Sequence, residues 1–243
     1  MSGLESLQVI HRLEVGPVRL ERKRLIAPYT VHREGGRDAT DLIYRYEEDV
    51  FDAGDPSAVN LASVVAAQVA LNYGLFCKKI VFHGPFDRHD RRLLAEMAAN
   101  TAREIYVKKF LEPNPFLVGQ AASLEPVRRD NYLMAALDFP DPEPPRSEPW
   151  ATDRARCLVL SSGGKESLLS QGLLDELGCE THPVFVNESG RHWFTALNAY
   201  RHFSQEVPRT ARVWTNSDRV FSWMLRQLPF IREDFADIRA DEY

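Results

Sequence analysis

The sequence predicts an α/β protein. An α+β N-terminal domain spans residues 1–138, a proline-rich linker 139–152, and an α/β domain with a parallel sheet 153–243. Three observations carry this reading. Near the start, Val18-Arg19-Leu20-Glu21-Arg22 alternates apolar and polar residues, the period-2 pattern of a half-exposed strand. From Phe139 to Pro149 the chain is acidic and dense in proline, which removes backbone donors and excludes a helix or a central strand. Beyond it, short apolar runs alternate with helical patterns of ten residues or so, as parallel strands joined by crossover helices do.

Taken in order, residues 15–46 read as two or three antiparallel strands. Leu42-Ile43-Tyr44-Arg45-Tyr46 alternates loosely, and Gly35-Gly36 marks a turn. The alanine-rich run 61–76 predicts a buried helix with Ser57 or Asn60 as N-cap. Residues 78–83 form a strand that Gly84-Pro85 stops. A second helix, 87–108, carries Leu93, Leu94, Met97, Thr101 and Ile105 at spacings that make one apolar face. After the linker come a strand at 156–160, a helix at 166–177, a strand at 182–186, a helix at 193–203, a strand at 212–214 and a helix at 218–228. No internal repeat is visible.

Bulk composition narrows the function classes. The 243 residues carry a formal charge of -5, with 44% hydrophobic and 27% charged residues. That is an ordinary globular balance, and its mild acidity argues against a dedicated nucleic-acid surface, which needs net positive charge. The three cysteines, Cys77, Cys157 and Cys179, form no CxxC, a usage that suits a reducing, cytoplasmic compartment. The N-terminus lacks the apolar core of a signal peptide. The longest apolar stretch is interrupted by Asn60, Ser63, Gln68 and Asn72, so no membrane span is expected.

The chemistry concentrates at Ser161-Ser162-Gly163-Gly164-Lys165-Glu166-Ser167, between a predicted strand and a predicted helix. The glycines let the backbone approach an anion and adopt positive φ. The helix that follows aims free N–H groups and its positive dipole end at the same point. Lys165 adds a charge, and Ser162 and Ser167 add hydroxyls. Together these make a phosphate cradle. The Walker pattern GxxxxGK[ST] and the dinucleotide pattern GxGxxG are both absent. A plain turn joining strand to helix is the competing reading.

The S-G-G-K-E-S segment resembles the S-G-G-x-D-S loop of the PP-loop ATP pyrophosphatase superfamily. Ser162, Gly163, Gly164 and Ser167 match it position by position. Lys165 falls at the variable position, and Glu166 stands where the family usually has Asp. The resemblance implies a doubly wound fold that grips the pyrophosphate of ATP, transfers AMP to a substrate oxygen and releases pyrophosphate. It implies ATP and Mg as cofactors and Glu166 as the acid that supports the loop and the magnesium. Such folds bind ligands outside the carboxyl ends of the strands, which brings the backbone of Phe185 and Val186 to the adenine and Asn187 and Glu188 to the ribose or substrate. A solvated turn is the alternative for those last two side chains.

About 160 residues precede the loop. This order of elements looks like the family that epimerises the terminal glutamate of UDP-N-acetylmuramoyl-alanyl-glutamate in peptidoglycan synthesis. The likeness implies an isomerase that adenylates a carboxylate, with a nucleotide-sugar peptide as substrate. A non-catalytic ATP- or AMP-binding module, and a PP-loop ligase that transfers amide or sulfur, are the other two readings. Lys165 is the candidate for stabilising phosphate charge. His192 is the preferred candidate base, beside His182 and His202. Residues 156–243 supply three strands where the family sheet needs five. The domain is therefore expected to be incomplete: a fragment, a degenerate copy, or one whose sheet a partner or second copy completes.

Two further clusters carry alternatives. His83, Asp87, His89 and Asp90 are either a metal site or the polar start of a helix, the latter being favoured. Arg22-Lys23-Arg24 and Arg128-Arg129 are either phosphate contacts or solvated runs.

Overall fold

The structure, a computed structural model, describes residues 3–144, 151–188 and 192–234. Nine strands form one mixed sheet: β1 (Ile10–Val15), β2 (Arg19–Glu21), β3 (Arg24–Arg33), β4 (Gly36–Tyr46), β5 (Cys77–Phe82), β6 (Ala136–Asp138), β7 (Arg156–Ser161), β8 (Glu180–Asn187) and β9 (Ala211–Thr215). Their order is β6-β5-β1-β3-β4-β9-β8-β7, with β2 paired to β3. The α/β class is as expected.

The antiparallel strands of the N-terminal half are β2, β3 and β4, joined to β1 on the far side of β3. Parallel pairing links β1 to β5, β5 to β6, β7 to β8, and β8 to β9. The two halves meet where β4 pairs antiparallel with β9, through Tyr44↔Thr215, Arg45↔Trp214 and Tyr46↔Val213. The three parallel strands beyond the linker are thus extended on the β9 side by the chain's own N-terminal strands.

Register fixes which side chains share a face. Leu13 and Val15 of β1, Leu25, Ala27, Tyr29 and Val31 of β3, Leu42 of β4, and Ile80 and Phe82 of β5 line one face and are buried. Helices α1 (Pro56–Ala67), α2 (Arg88–Ile105) and α5 (Ser217–Leu225) contribute Ala62, Ala66, Leu94, Ala98, Val220 and Met224 to the same core. Helices α3 (Lys165–Glu176) and α4 (His192–Glu206) lie on the opposite face. Thr181 and Phe185 share one side of β8; the first bonds Gln171 of α3, and the second packs against Tyr200 and Phe203 of α4. Helices therefore cover both faces but are offset along the sheet. Leu158 and Leu160, on the core-side face of the outermost strand β7, stay 65% and 67% exposed.

Local chemistry sets the helix starts. Asp55, not Ser57 or Asn60, caps α1 by accepting from the Ser57 N–H at 2.8 Å. The Asn60 amide instead donates to Pro85 O and Asp90 Oδ2, both at 2.6 Å, tying α1 to the head of α2. The apolar run after α1 tightens into a 3-10 turn, Gln68–Tyr73, and a π turn, Tyr106–Leu111, extends α2. The described part of the proline-rich segment straps onto the N-terminal half. Phe139 stacks on Phe82, and Asp141 accepts from the Gly84 N–H at 2.6 Å.

Candidate functional site

The glycine loop sits where the sequence places it, between β7, which ends at Ser161, and α3, which begins at Lys165. Gly163 has φ +75, in the left-handed region, and a Cβ there would lie 2.9 Å from Ala196 Cα and 3.1 Å from Thr195 O. Only glycine meets both conditions, so the turn seats directly on the first turn of α4. The loop braces itself: the Gly163 N–H donates to Ser161 Oγ at 3.2 Å, Ser161 and Ser167 hydroxyls share a bond of 3.1 Å, and Ser167 Oγ donates to Gly164 O at 3.0 Å. Ser161 and Ser167 are thus committed to holding the loop, whereas Ser162, Lys165 and Glu166 are exposed.

Gly164 is the N-cap of α3, and no side chain caps that helix. This contrasts with α2, where Asp87 and Asp90 form a capping box. An uncapped helix start leaves its first-turn N–H groups available to an anion, with the helix dipole behind them. Beside the loop lies a cavity of about 710 Å³, lined on the loop side by Ser161, Ser162 and Gly164, on the strands by Leu160 and Val186, and on α4 by Trp193, Thr195 and Ala196, with Glu188 also at its wall. Its place, at the carboxyl ends of parallel strands, is the usual ligand position of open α/β sheets.

The remaining sequence candidates divide. Val186 lines the cavity. Phe185 does not line it; its side chain is fully buried against Tyr200 and Phe203. Asn187 ends β8 beside Glu188, in register with Trp214. His192 begins α4, whose next residues line the cavity; its side chain lies outside the described residues. His182 is excluded by position: it lies in the first half of β8, bonded to Glu180 at 2.9 Å, and that bond holds the Glu180 carboxyl below its usual range. His202 packs edge-on against Phe203, ten residues into α4, about 15 Å along the helix from its start.

Two carboxylates flank the loop region, Glu166 in the first turn of α3 and Glu188 at the cavity wall. The Glu166 carboxylate folds back so that Oε2 lies 3.6 Å from the position a Gly164 Cβ would take. Among the described residues no three His, Cys, Asp or Glu side chains cluster as metal ligands. The His83–Asp90 cluster resolves as helix capping: Asp87 accepts from the His89 and Asp90 N–H groups at 2.7 and 2.8 Å, and Asp90 accepts from the Asp87 N–H at 3.0 Å.

Glu47, which the sequence did not single out, is a hub next to the site. It accepts from the Tyr200 hydroxyl at 3.0 Å, from the Arg212 N–H at 2.8 Å and from the Arg212 guanidinium at 3.0 Å. Arg212 in turn lies over the rings of Trp193 and Tyr200. Burial, and then the Glu47 carboxylate, raise the Tyr200 pKa.

Compared with known protein families, with curated proteins and with solved structures, the chain matches none. Among the described residues, no helix is long and apolar enough to cross a membrane.

Proposed function

We propose that the cavity beside the glycine loop binds ATP, and that the chain adenylates a substrate carboxylate and releases pyrophosphate. One observation carries the reading: a left-handed Gly163 packed on α4 presents an uncapped helix start and a free Ser162 hydroxyl to a cavity at the carboxyl ends of β7 and β8, with Lys165 exposed in the first turn of that helix. A carboxylate oxygen attacks the α-phosphorus, the α–β bridging bond breaks, and the electron pair leaves with pyrophosphate. The α3 N–H groups and Lys165 stabilise the charge that develops on that leaving group. Glu166 and Glu188 would be the residues to hold magnesium, which would supply neutralisation of phosphate charge.

The finer reading is the glutamate epimerisation that the sequence resemblance implies. A carboxylate is a poor carbon acid because deprotonation at Cα adds a second negative charge beside the first. The acyl-adenylate removes that first charge, and a positioned base then takes the proton. His192 is the base of this proposal, because α4 enters the cavity wall immediately after it. A cytoplasmic setting belongs to the same proposal. A non-catalytic nucleotide-binding module is the second reading.

Mg-ATP at one hundred times its Kd is expected to stabilise the chain by roughly 2–3 kcal/mol in a thermal shift assay. Gly164→Asp is expected to abolish that shift. Gly164 has an ordinary φ of -82, and no atom lies closer than 3.4 Å to the place its Cβ would take, so the fold accepts the aspartate while its charge repels phosphate. An unchanged shift in this variant sinks the reading. Carboxylate-dependent pyrophosphate release separates enzyme from module, and ATP-dependent loss of Cα deuterium to water separates epimerase from ligase.

A further inference from the structure

The sheet ends in two edges of different character. At one end β6 is three residues long, carries Asp138 paired with Lys79 at 2.6 Å, and runs on into Pro140. Short length, charge and proline are the devices that keep an edge strand from pairing further. At the other end β7 is six residues long and has none of them past its first position. That first residue, Arg156, is turned to Asp153 and Glu180. The rest, Cys157-Leu158-Val159-Leu160-Ser161, is uncharged, and among the described residues no strand pairs with its outer side.

Both faces beside this edge are apolar. Leu158 and Leu160 lie on the face opposite α3 and stay largely exposed. On α3, Gln171 marks the side turned to the sheet, because it is buried against Thr181 of β8. At about 100° per residue and with a right-handed β7–α3–β8 crossover, Leu173 and Leu177 fall on the flank above the open edge. They are 51% and 78% exposed. The exposed parts of these four leucines amount to roughly 300–400 Å² of apolar surface. Parallel sheets bury such surface on both faces.

We infer that β7 pairs antiparallel with β7 of a second copy, so that one sheet runs through both chains. A second copy is the partner whose edge has the same length and the same leucines at the same spacing, and a two-fold contact uses one patch on both sides. A two-fold axis perpendicular to the sheet keeps every residue on its own face, so only residues an even number apart oppose one another. An axis through Val159 sets Leu158 on the partner's Leu160 and leaves Arg156 outside the apolar pairs. An axis through Leu158 sets Leu160 against Arg156 and is disfavoured. The pairing satisfies the free backbone edge, covers the leucines on one face and brings the two α3 flanks together on the other. With the backbone edge and the α3 flank added to the leucines, the contact approaches the roughly 800 Å² per partner of stable interfaces.

Sedimentation velocity of the full chain tests the pairing. A dimer is expected at about 100 μM. Leu158→Lys is expected to weaken it at least tenfold, because the ammonium is buried against an apolar side chain. Leu158 is exposed in the single chain, so the Tm of the dilute variant is expected to match wild type. Adding Leu160→Glu to the same chain sets opposite charges across both leucine pairs and is expected to restore the dimer. A chain that stays monomeric at about 100 μM keeps its edge for a different partner and overturns the inference. A dimer that Leu158→Lys leaves intact, or that the second substitution fails to restore, overturns it too. Amide exchange locates the contact: raising the concentration is expected to slow exchange in β7 and leave β3 unchanged. Protection gained only outside β7 and α3 contradicts the pairing.

Discussion

At the scale of residues, two adjacent glycines do different work. Gly163 is required by conformation and by contact, so Gly163→Ala is expected to cost about 1–3 kcal/mol through left-handed strain and displacement of α4. Urea unfolding measures this, and a cost below about 0.5 kcal/mol contradicts the seating of the loop. Gly164 is permissive, and its substitution is expected to act on ligand binding alone. Asp38 shows how a carboxylate far from the loop shapes pH dependence. Burial pushes its pKa up, but donation from Trp223 and Gln227 outweighs that and leaves it lowered. A lowered folded pKa contributes stability that is present above the unfolded value near 3.9 and is lost as pH falls through the folded value. Stability is therefore expected to drop below about pH 4, and Asp38→Asn to flatten that drop while costing roughly 1–3 kcal/mol at pH 7. Unfolding at pH 3, 5 and 7 compares the two. Asp87 is lowered as well, by its cap bonds against burial, so the variant reduces the acid loss without removing it.

Elements differ in how far the sequence exposes them. The strand–loop–helix unit is legible because its signal is local: β7 and α3 lie within a residue or so of where periodicity and the glycine pair put them. The first strand, Ile10-His11-Arg12-Leu13-Glu14-Val15, has no strict alternation and escapes such a reading. It is a strand because β3 and β5 pair with it on both sides. The groove lined by Arg33, Lys78 and Arg226 escapes for a related reason: these residues are far apart in sequence and each reads as a solvated charge. The head of α2 is the opposite case, where His83, Asp87, His89 and Asp90 look like chemistry and turn out to be architecture. Asp87→Ala is expected to cost about 1 kcal/mol as a lost cap. EDTA is expected to leave the wild-type Tm unmoved, and a chelator-sensitive Tm that the variant abolishes restores the metal reading.

For the whole molecule, the decisive feature is that one sheet joins two unequal cores. The N-terminal half buries a continuous set of large side chains, Tyr29, Tyr73, Tyr106, Phe82 and Phe86 among them. The half built on β7 and β8 buries Val159, Phe185 and Ala196 and leaves Leu158, Leu160, Leu169 and Leu173 exposed. With less apolar area removed from water, this half is expected to be the less stable unit. What couples it to the rest is the β4–β9 seam and the side chains that stitch it. Asn216 accepts from the Ile43 N–H at 2.7 Å and donates to Asp41 O at 2.8 Å, while Glu47 clamps Arg212 and Tyr200. Amide hydrogen exchange is expected to show weaker protection in β7 and β8 than in β3 and β5. Asn216→Ala removes both stitches and is expected to cost about 1–3 kcal/mol. Its effect should fall on one side of the seam, with exchange accelerated in β7–β9 and α4 and unchanged in β3 and β5. Uniform acceleration across the sheet contradicts that picture, because it means the two halves open only together. An asymmetric response places the cavity beside the glycine loop in the looser half, where, on the proposed function, Mg-ATP is expected to restore protection to β7 and α4 in the wild type and not in Gly164→Asp.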